Sequence, residues 1–196
     1  MALDIAYGTG QTPLDPDERA GLKPRHISTQ GQLDEWEAEN ILGAMRWLDT
    51  QRSRDVLNED FCRELHRRMF GDTWKWAGQF RRSDKNIGCD WTQVPMRLRQ
   101  LLGNAQYWLN ENTFPVAEIA TRFHHQIVSI HPFPNGNGRH SRQMADCLLK
   151  QCGLETFTWG SGRNLVADGE TRRMYIAALQ AADRGDIAPL VAFVRS

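Results

Sequence analysis

Hydrophobic residues recur with a helical period along most of the chain, and this pattern predicts an almost entirely helical domain. The first stripe is formed by Leu33, Trp36, Ile41, Met45 and Leu48. Later stripes predict helices that start after Asn58, at Val94, at Pro115 as the first helical residue, near Arg139, and at about residues 170 and 186. Asn58 is a favoured N-cap residue, and proline is favoured in the first turn of a helix.

Two stretches lack the helical period. Residues 1–30 are rich in glycine and proline and predict an irregular N-terminal arm in front of a single domain at residues 31–196. Between Trp74 and Trp91, Phe80 and Ile87 are set among turn residues, which predicts a short β-hairpin. The expected fold is therefore all-α with a small hairpin.

Composition excludes several classes of protein. Among 196 residues, 24 Lys and Arg balance 24 Asp and Glu, so we expect neither a direct nucleic-acid binder nor a membrane-surface protein. The apolar runs are too short to span a bilayer. The cysteines form no C-x-x-C pair and no zinc spacing, and no signal-peptide pattern is found, so we expect reduced thiols and a cytoplasmic protein.

The chemistry is concentrated in one break between two predicted helices. It reads His131-Pro-Phe-Pro-Asn-Gly-Asn-Gly-Arg-His-Ser-Arg142. Prolines end the first helix, and glycines permit a tight turn directly before the second, whose free amides can bind an anion. Arg139 and Arg142 lie three residues apart, where they can clamp a polyphosphate, and His131 is suited to proton abstraction. The segment predicts a phosphoryl- or nucleotidyl-transfer site.

Each of these residues also has an ordinary structural interpretation when it is taken alone. His131 can cap a helix, Arg139 and Arg142 can be solvated charges, and Asn135 can be a turn residue. A metal nuclease of the HNH type uses a similar order of residues, here His131, Asn135 and His140. Such nucleases place these residues on a ββα unit, and the flanking helices argue against that class.

The break resembles the motif H-P-F-x-[D/E]-G-N-G-R-x-x-R of the Fic/Doc family, and of the named letters only the acidic one differs. The resemblance extends to Trp76-Ala-Gly-x-Phe-Arg and to Asn86-Ile-Gly, which look like the family's flap. The opening Ile5-Ala-Tyr-Gly-Thr-Gly-Gln-Thr-Pro-Leu-Asp is similar to a subgroup called mobile mystery protein B. That subgroup implies a mobile element, a toxin–antitoxin-like pair and a helix-turn-helix partner.

The resemblance implies transfer of AMP from ATP to a Ser, Thr or Tyr hydroxyl of a target protein. It assigns the base to His131 and target alignment to the flap residues Asn86, Ile87 and Gly88. It assigns the nucleotide phosphates to five residues: Gly136, Asn137, Gly138, Arg139 and Arg142.

Asn135 stands where the family has the acidic residue that holds Mg²⁺. An amide oxygen can ligate Mg²⁺ but brings no charge. A lost unit-charge attraction at ~4 Å is worth a few kcal/mol at an effective dielectric of ~20, which corresponds to a hundredfold or more in rate. The residue therefore indicates a weak enzyme, a different nucleotide or reaction direction, or a non-catalytic partner, and the sequence leaves these alternatives open.

An autoinhibitory element is also expected from the resemblance. Many family members carry a helix with [S/T]-x-x-x-E-[G/N], whose glutamate pairs with the second arginine of the motif. Glu39-Asn40 fits the end of that pattern, although Glu35 holds its first position. The hypothesis is that Glu39 or Glu37 pairs with Arg142.

Overall fold

The computed structural model describes residues 12–51, 55–160, 165 and 169–196, and within these ranges the chain is helical. Its α-helices are α1 (Pro16–Arg19), α2 (Gln30–Thr50), α3 (Glu59–Phe70), α4 (Val94–Asn110), α5 (Val116–Ile130), α6 (Asn137–Gln151), α7 (Glu170–Asp183) and α8 (Ala188–Phe193). One 3-10 turn at Trp91–Gln93 leads into α4. The predicted helices are confirmed, with small shifts at their ends.

The helix starts follow local capping chemistry. The Asn58 side chain accepts a hydrogen bond from the amide of Asp60, so the predicted N-cap of α3 is confirmed. Thr29 caps α2 and forms a reciprocal capping box with Gln32. Pro115 was expected at the first helical position, but it is the N-cap residue of α5, whose first residue is Val116.

Helices α5 and α6 pack against each other at the centre of the domain, and the break between them carries the motif. Helix α4 packs on α5, α2 packs on α3, and α7 packs on α8. The stripe predicted for α5 faces this core, since Ile119, Phe123, Ile127 and Ile130 are all buried. The packing therefore fixes the ends of two rigid helices on either side of the motif.

The predicted β-hairpin is wrong. Across the described residues the chain forms no named strand, and the only β-bridge there joins Leu22 to Trp74. The segment between Phe80 and Trp91 is an irregular loop, here called the flap loop. Its carbonyls are satisfied by a buried guanidinium rather than by a partner strand: Arg81 donates to the carbonyl oxygens of Ser83 and Cys89.

The N-terminal arm lies against the flap loop. Residues 1–11 are outside the described part, and the remainder of the arm includes the short helix α1. The arm is joined to the body by the Leu22–Trp74 bridge, where the Lys23 amide donates to the Thr73 carbonyl at 2.8 Å and the Lys75 amide donates to the Gly21 carbonyl at 2.9 Å. No helix in the described ranges is long and apolar enough to cross a membrane.

Candidate functional site

The loop between α5 and α6 has an unusual backbone at both ends. His131 ends α5 in the left-handed region, with φ at 55°, while its amide donates to the Ile127 carbonyl at 3.0 Å. Such a conformation is uncommon outside glycine and is frequent at functional sites. Gly136 has φ at 77°, and a Cβ there would lie 2.6 Å from the Phe70 ring, so the position requires glycine.

Asn137 holds the loop in shape with its side chain. Its Oδ1 accepts from the Phe133 amide at 2.9 Å, and its Nδ2 donates to the Phe133 carbonyl at 2.8 Å. The resemblance assigned Asn137 to the nucleotide phosphates. Because the side chain is hydrogen-bonded within the loop, Asn137 offers a ligand its backbone amide, in the first turn of α6.

His66 on α3 supports the same loop and was not singled out from the sequence. Its ring stacks on Phe133 with 3.7 Å between centroids. Its Nδ1 accepts from the Gly78 amide at 3.0 Å, so Nε2 carries the proton and donates to the Asn135 carbonyl at 3.1 Å. Burial lowers its pKa well below the ordinary value, which keeps the ring neutral. A histidine within the apolar stripe of α3 was the only signal in the sequence.

A cavity of about 560 Å³ opens above this loop. The first turn of α6 faces it, and that helix start has no side-chain cap. Uncapped amides at the start of a 15-residue helix favour a bound anion. Seven residues of the motif line the cavity: His131, Asn135, Gly136, Asn137, Gly138, Arg139 and Arg142.

Arg142 lies deep in this cavity. Its guanidinium is 5.9 Å from the centre of the Tyr175 ring, and burial lowers its pKa while Tyr175 opposes that effect. The Tyr175 hydroxyl is in turn hydrogen-bonded to the Nε2 atom of His124 at 3.0 Å. No carboxylate in the described ranges forms an ion pair with Arg142, which leaves its charge to act on a ligand.

Arg139 is held by a carboxylate. Its Nη1 donates to Glu37 Oε2 at 2.6 Å, and the Trp74 indole nitrogen donates to the other oxygen of Glu37 at 2.6 Å. Glu37 is 5% exposed. The expected partner was Arg142, so the structure corrects that pairing. Glu39, the alternative candidate, is exposed on α2.

Asn135 does not present a metal ligand to the cavity. Its Oδ1 accepts from the Gly136 amide at 2.6 Å, and its Nδ2 donates to the Thr12 carbonyl at 3.0 Å. The described residues contain no group of three or more His, Cys, Asp or Glu that could hold a metal ion. In this arrangement the Asn135 side chain is hydrogen-bonded within the protein, and it brings no charge to a Mg²⁺ ion.

His131 is covered by the arm and by the flap loop. Its Nε2 lies 3.1 Å from the hydroxyl oxygen of Thr12. Burial, followed by the charges of Arg81 and Lys85, lowers the pKa of His131 to about 3. The ring is consequently neutral at pH 7 and can accept a proton.

The flap loop approaches His131 very closely. Gly88 has φ at 111°, and a Cβ there would lie 2.8 Å from the His131 Cβ. Arg81 fixes this approach, since its Nε donates to the His131 carbonyl at 2.7 Å. Ile87 and Gly88 line the cavity, and Asn86 lies in the same loop.

The nuclease-like grouping is not assembled. His140 is fully buried, and its Nε2 is 2.8 Å from the Cys62 carbonyl. It does not line the cavity that contains His131 and Asn135.

Comparison with known proteins relates this chain to a protein family. A model of the Fic/DOC family matches residues 56–149. Two curated relatives are named protein adenylyltransferase Fic: that of Aedes aegypti is 31% identical and that of Drosophila grimshawi 33% identical over 194 residues. Each alignment covers 94% of this chain, which spans only 37% and 38% of the two relatives.

Solved structures share the fold. Fic-1 from C. elegans superposes with a TM-score of 0.65 at 25% identity, covering 90% of this chain and 51% of that one. BepC from Bartonella tribocorum, solved with bound AMPPNP, gives a TM-score of 0.70 at 18% identity and covers 92% of this chain and 97% of that one. The second likeness concerns the fold alone.

Proposed function

This chain belongs to the Fic/DOC family, and we propose that it transfers AMP from ATP to a side-chain hydroxyl of a protein. One observation carries the proposal. A neutral histidine, an uncapped helix N-terminus and two arginines border a single cavity of about 560 Å³. The curated relatives named protein adenylyltransferase support the same activity.

The chain's own residues supply the parts of such a transfer. The amides at the start of α6 hold the phosphates of the nucleotide, and Arg142 balances charge on the outermost of them. His131 Nε2 takes the proton from the incoming hydroxyl. The hydroxyl oxygen then attacks the α-phosphorus, and pyrophosphate leaves.

The surroundings of His131 limit its strength as a base. Because burial lowers its pKa, the ring is ready to accept a proton but has a weak drive to do so. Displacing the arm would admit water to Nε2 and move the pKa back toward its ordinary value. A target that replaces the arm at His131 would therefore meet a stronger base.

Arg139 and Glu37 form the regulatory part of the proposal. We propose that Glu37 competes with the nucleotide phosphates for the guanidinium of Arg139. The hydrogen bond from the Trp74 indole nitrogen holds the Glu37 carboxylate beside Arg139, so the carboxylate does not turn outward to be solvated. A nucleotide must displace this ion pair before Arg139 can bind phosphate, which lowers the apparent affinity.

The proposal also concerns magnesium and a partner protein. The Asn135 side chain is hydrogen-bonded to the Gly136 amide and to the Thr12 carbonyl, and the two arginines balance the phosphate charge. The subgroup resemblance implies a helix-turn-helix partner, and the activity requires a target protein that presents Ser, Thr or Tyr. Affinity purification with the full chain tests whether it binds either of them.

Labelling with ATP separates the candidate activities. The protein is incubated with a cell lysate and ATP labelled on either the α- or the γ-phosphate. We expect protein-bound label from the α-phosphate alone, its loss in His131→Ala, and its retention in the control His26→Ala, which changes an exposed histidine. Label from the γ-phosphate would indicate a kinase instead. Nicking of DNA that needs metal but no nucleotide would indicate a nuclease.

A further inference from the structure

Thr12 places a hydroxyl group directly against the proposed base. Its Oγ1 lies 3.1 Å from His131 Nε2, and the residue is 6% exposed. Since the ring is neutral and Nε2 can accept, the hydroxyl is able to donate this hydrogen bond. The distance is within the range that proton transfer to a general base requires.

The same hydroxyl borders the space proposed for the nucleotide. Thr12 and Leu14 line the cavity together with His131 and the first turn of α6. An acceptor hydroxyl must touch the base on one side and reach the α-phosphorus on the other. Thr12 therefore lies where an acceptor residue of a target protein would have to lie.

Thr12 is held in this place by its backbone. The Thr12 carbonyl accepts from Asn135 Nδ2 at 3.0 Å, so the residue is attached to the motif at two points, one through the main chain and one through the side chain. Fixing both groups removes much of the entropy cost of bringing the hydroxyl to the base.

A charge cluster holds the rest of the arm on the flap loop. Lys85 Nζ lies 2.8 Å from Asp15 Oδ2 and 2.6 Å from Glu18 Oε2, and the Lys85 side chain is 2% exposed. Ser83 donates to the same oxygen of Asp15 at 2.6 Å. These bonds lower the pKa of Asp15, so the carboxylate stays charged at neutral pH. The cluster keeps the arm docked beside His131.

From this geometry we propose that Thr12 is an acceptor of AMP in cis, so that the protein modifies its own N-terminal arm. This inference rests on the proposed function. The Thr12 proton passes to His131 Nε2, and Oγ1 bonds to the α-phosphorus of ATP. The bond from the α-phosphorus to the bridging oxygen of the β-phosphate breaks, and pyrophosphate leaves. The product is a phosphodiester on Thr12, and the proton on His131 returns to solvent.

The first test is mass spectrometry of the intact full chain and its peptides after incubation with ATP. We expect one AMP on the peptide that contains Thr12. The adduct should disappear in Thr12→Val, remain in Thr12→Ser, and remain in the matched control Thr113→Val, which changes an exposed threonine that does not line the cavity. Glu37→Gln is run in parallel so that the ion pair with Arg139 does not conceal the reaction.

The second test asks whether the reaction is intramolecular. The rate per molecule should not change when the protein is diluted. Lys85→Met removes the charge that holds the arm while keeping His131 and the phosphate-binding residues in the chain. Because Lys85 also lowers the pKa of His131, its loss by itself would make the base stronger, so slower modification of Thr12, by about tenfold or more, reports the undocked arm. Circular dichroism checks that this variant is folded.

The two proposals fail in different ways. If a lysate protein or another residue of this chain takes up AMP while Thr12 does not, the inference is wrong and the proposed function stands. A rate that rises in proportion to protein concentration also overturns it. If nothing is labelled and ATP does not bind, both proposals fall.

Discussion

Buried histidines are expected to make this fold sensitive to acid. Burial is the main cause that lowers the pKa of His124 and of His131 to about 3 and that of His140 to about 4, from an ordinary value of 6.5. Below pH 6.5 the unfolded chain therefore binds protons that the folded chain does not. The free energy of unfolding falls as the pH falls from about 6.5 toward these folded-state values.

Asp146 acts in the opposite direction. Burial raises its pKa to about 6, so the folded chain takes up a proton near pH 6 that the unfolded chain takes up only near pH 4. Acidification from pH 7 to pH 5 lowers the free energy of unfolding by about 2 kcal/mol for each of the three histidines. Asp146 raises it by about 1 kcal/mol over the same range. The net loss is about 5 kcal/mol, and His66 adds to it in the same direction. That is a large share of the stability of an ordinary domain.

Urea denaturation at pH 7, 6 and 5, followed by tryptophan fluorescence, measures this loss. The variant His124→Gln should reduce the dependence of the free energy of unfolding on pH by about 1 kcal/mol per pH unit. A change of less than about 1 kcal/mol between pH 7 and pH 5 would refute the reasoning, because the buried rings would then be titrating in the folded protein.

The remaining predictions concern the loop and its neighbours. Glu37→Gln should tighten ATP binding about tenfold, measured by calorimetry, because Arg139 loses its carboxylate partner; unchanged affinity would contradict competition at that arginine. Asn135→Asp should raise Mg²⁺-dependent labelling of external proteins about tenfold or more, because the substitution adds a negative charge and removes the hydrogen bond to the Thr12 carbonyl. Labelling that does not respond to Mg²⁺ would contradict this role of residue 135. Gly136→Ala should cost at least about 2 kcal/mol in urea unfolding, from its positive φ and its overlap with Phe70; near-normal stability would show that Phe70 moves aside.

The sequence predicted the helices well because their signal is local. The stripe ending at Ile130 and the N-cap at Asn58 depend on neighbouring residues only, and both are confirmed. The motif could also be recognised from the sequence, because Gly136 stands directly before the start of α6 and this signal is local.

The errors arose where distant residues decide the local structure. The flap loop has the aromatic and turn residues of a hairpin, but the buried Arg81 guanidinium takes the place of a partner strand. The partner of Glu37 on α2 is Arg139 on α6, and hydrophobic periodicity along the chain does not indicate which side chains of two separate helices meet.

The contact between Thr12 and His131 spans 119 positions in the chain. Residues 1–30 were predicted only as an irregular arm, and nothing in their composition indicates that a threonine hydroxyl reaches the base. This contact, like the support of the loop by His66, became visible only in three dimensions.

The central claim is that His131 drives transfer of AMP with release of pyrophosphate, and a balance of products tests it directly. After incubation with ATP, pyrophosphate and protein-bound AMP are counted in the same sample, for wild type and for His131→Ala. The account predicts equal amounts in the wild type and neither product in the variant. Pyrophosphate without bound AMP, or bound AMP that persists in His131→Ala, would contradict it.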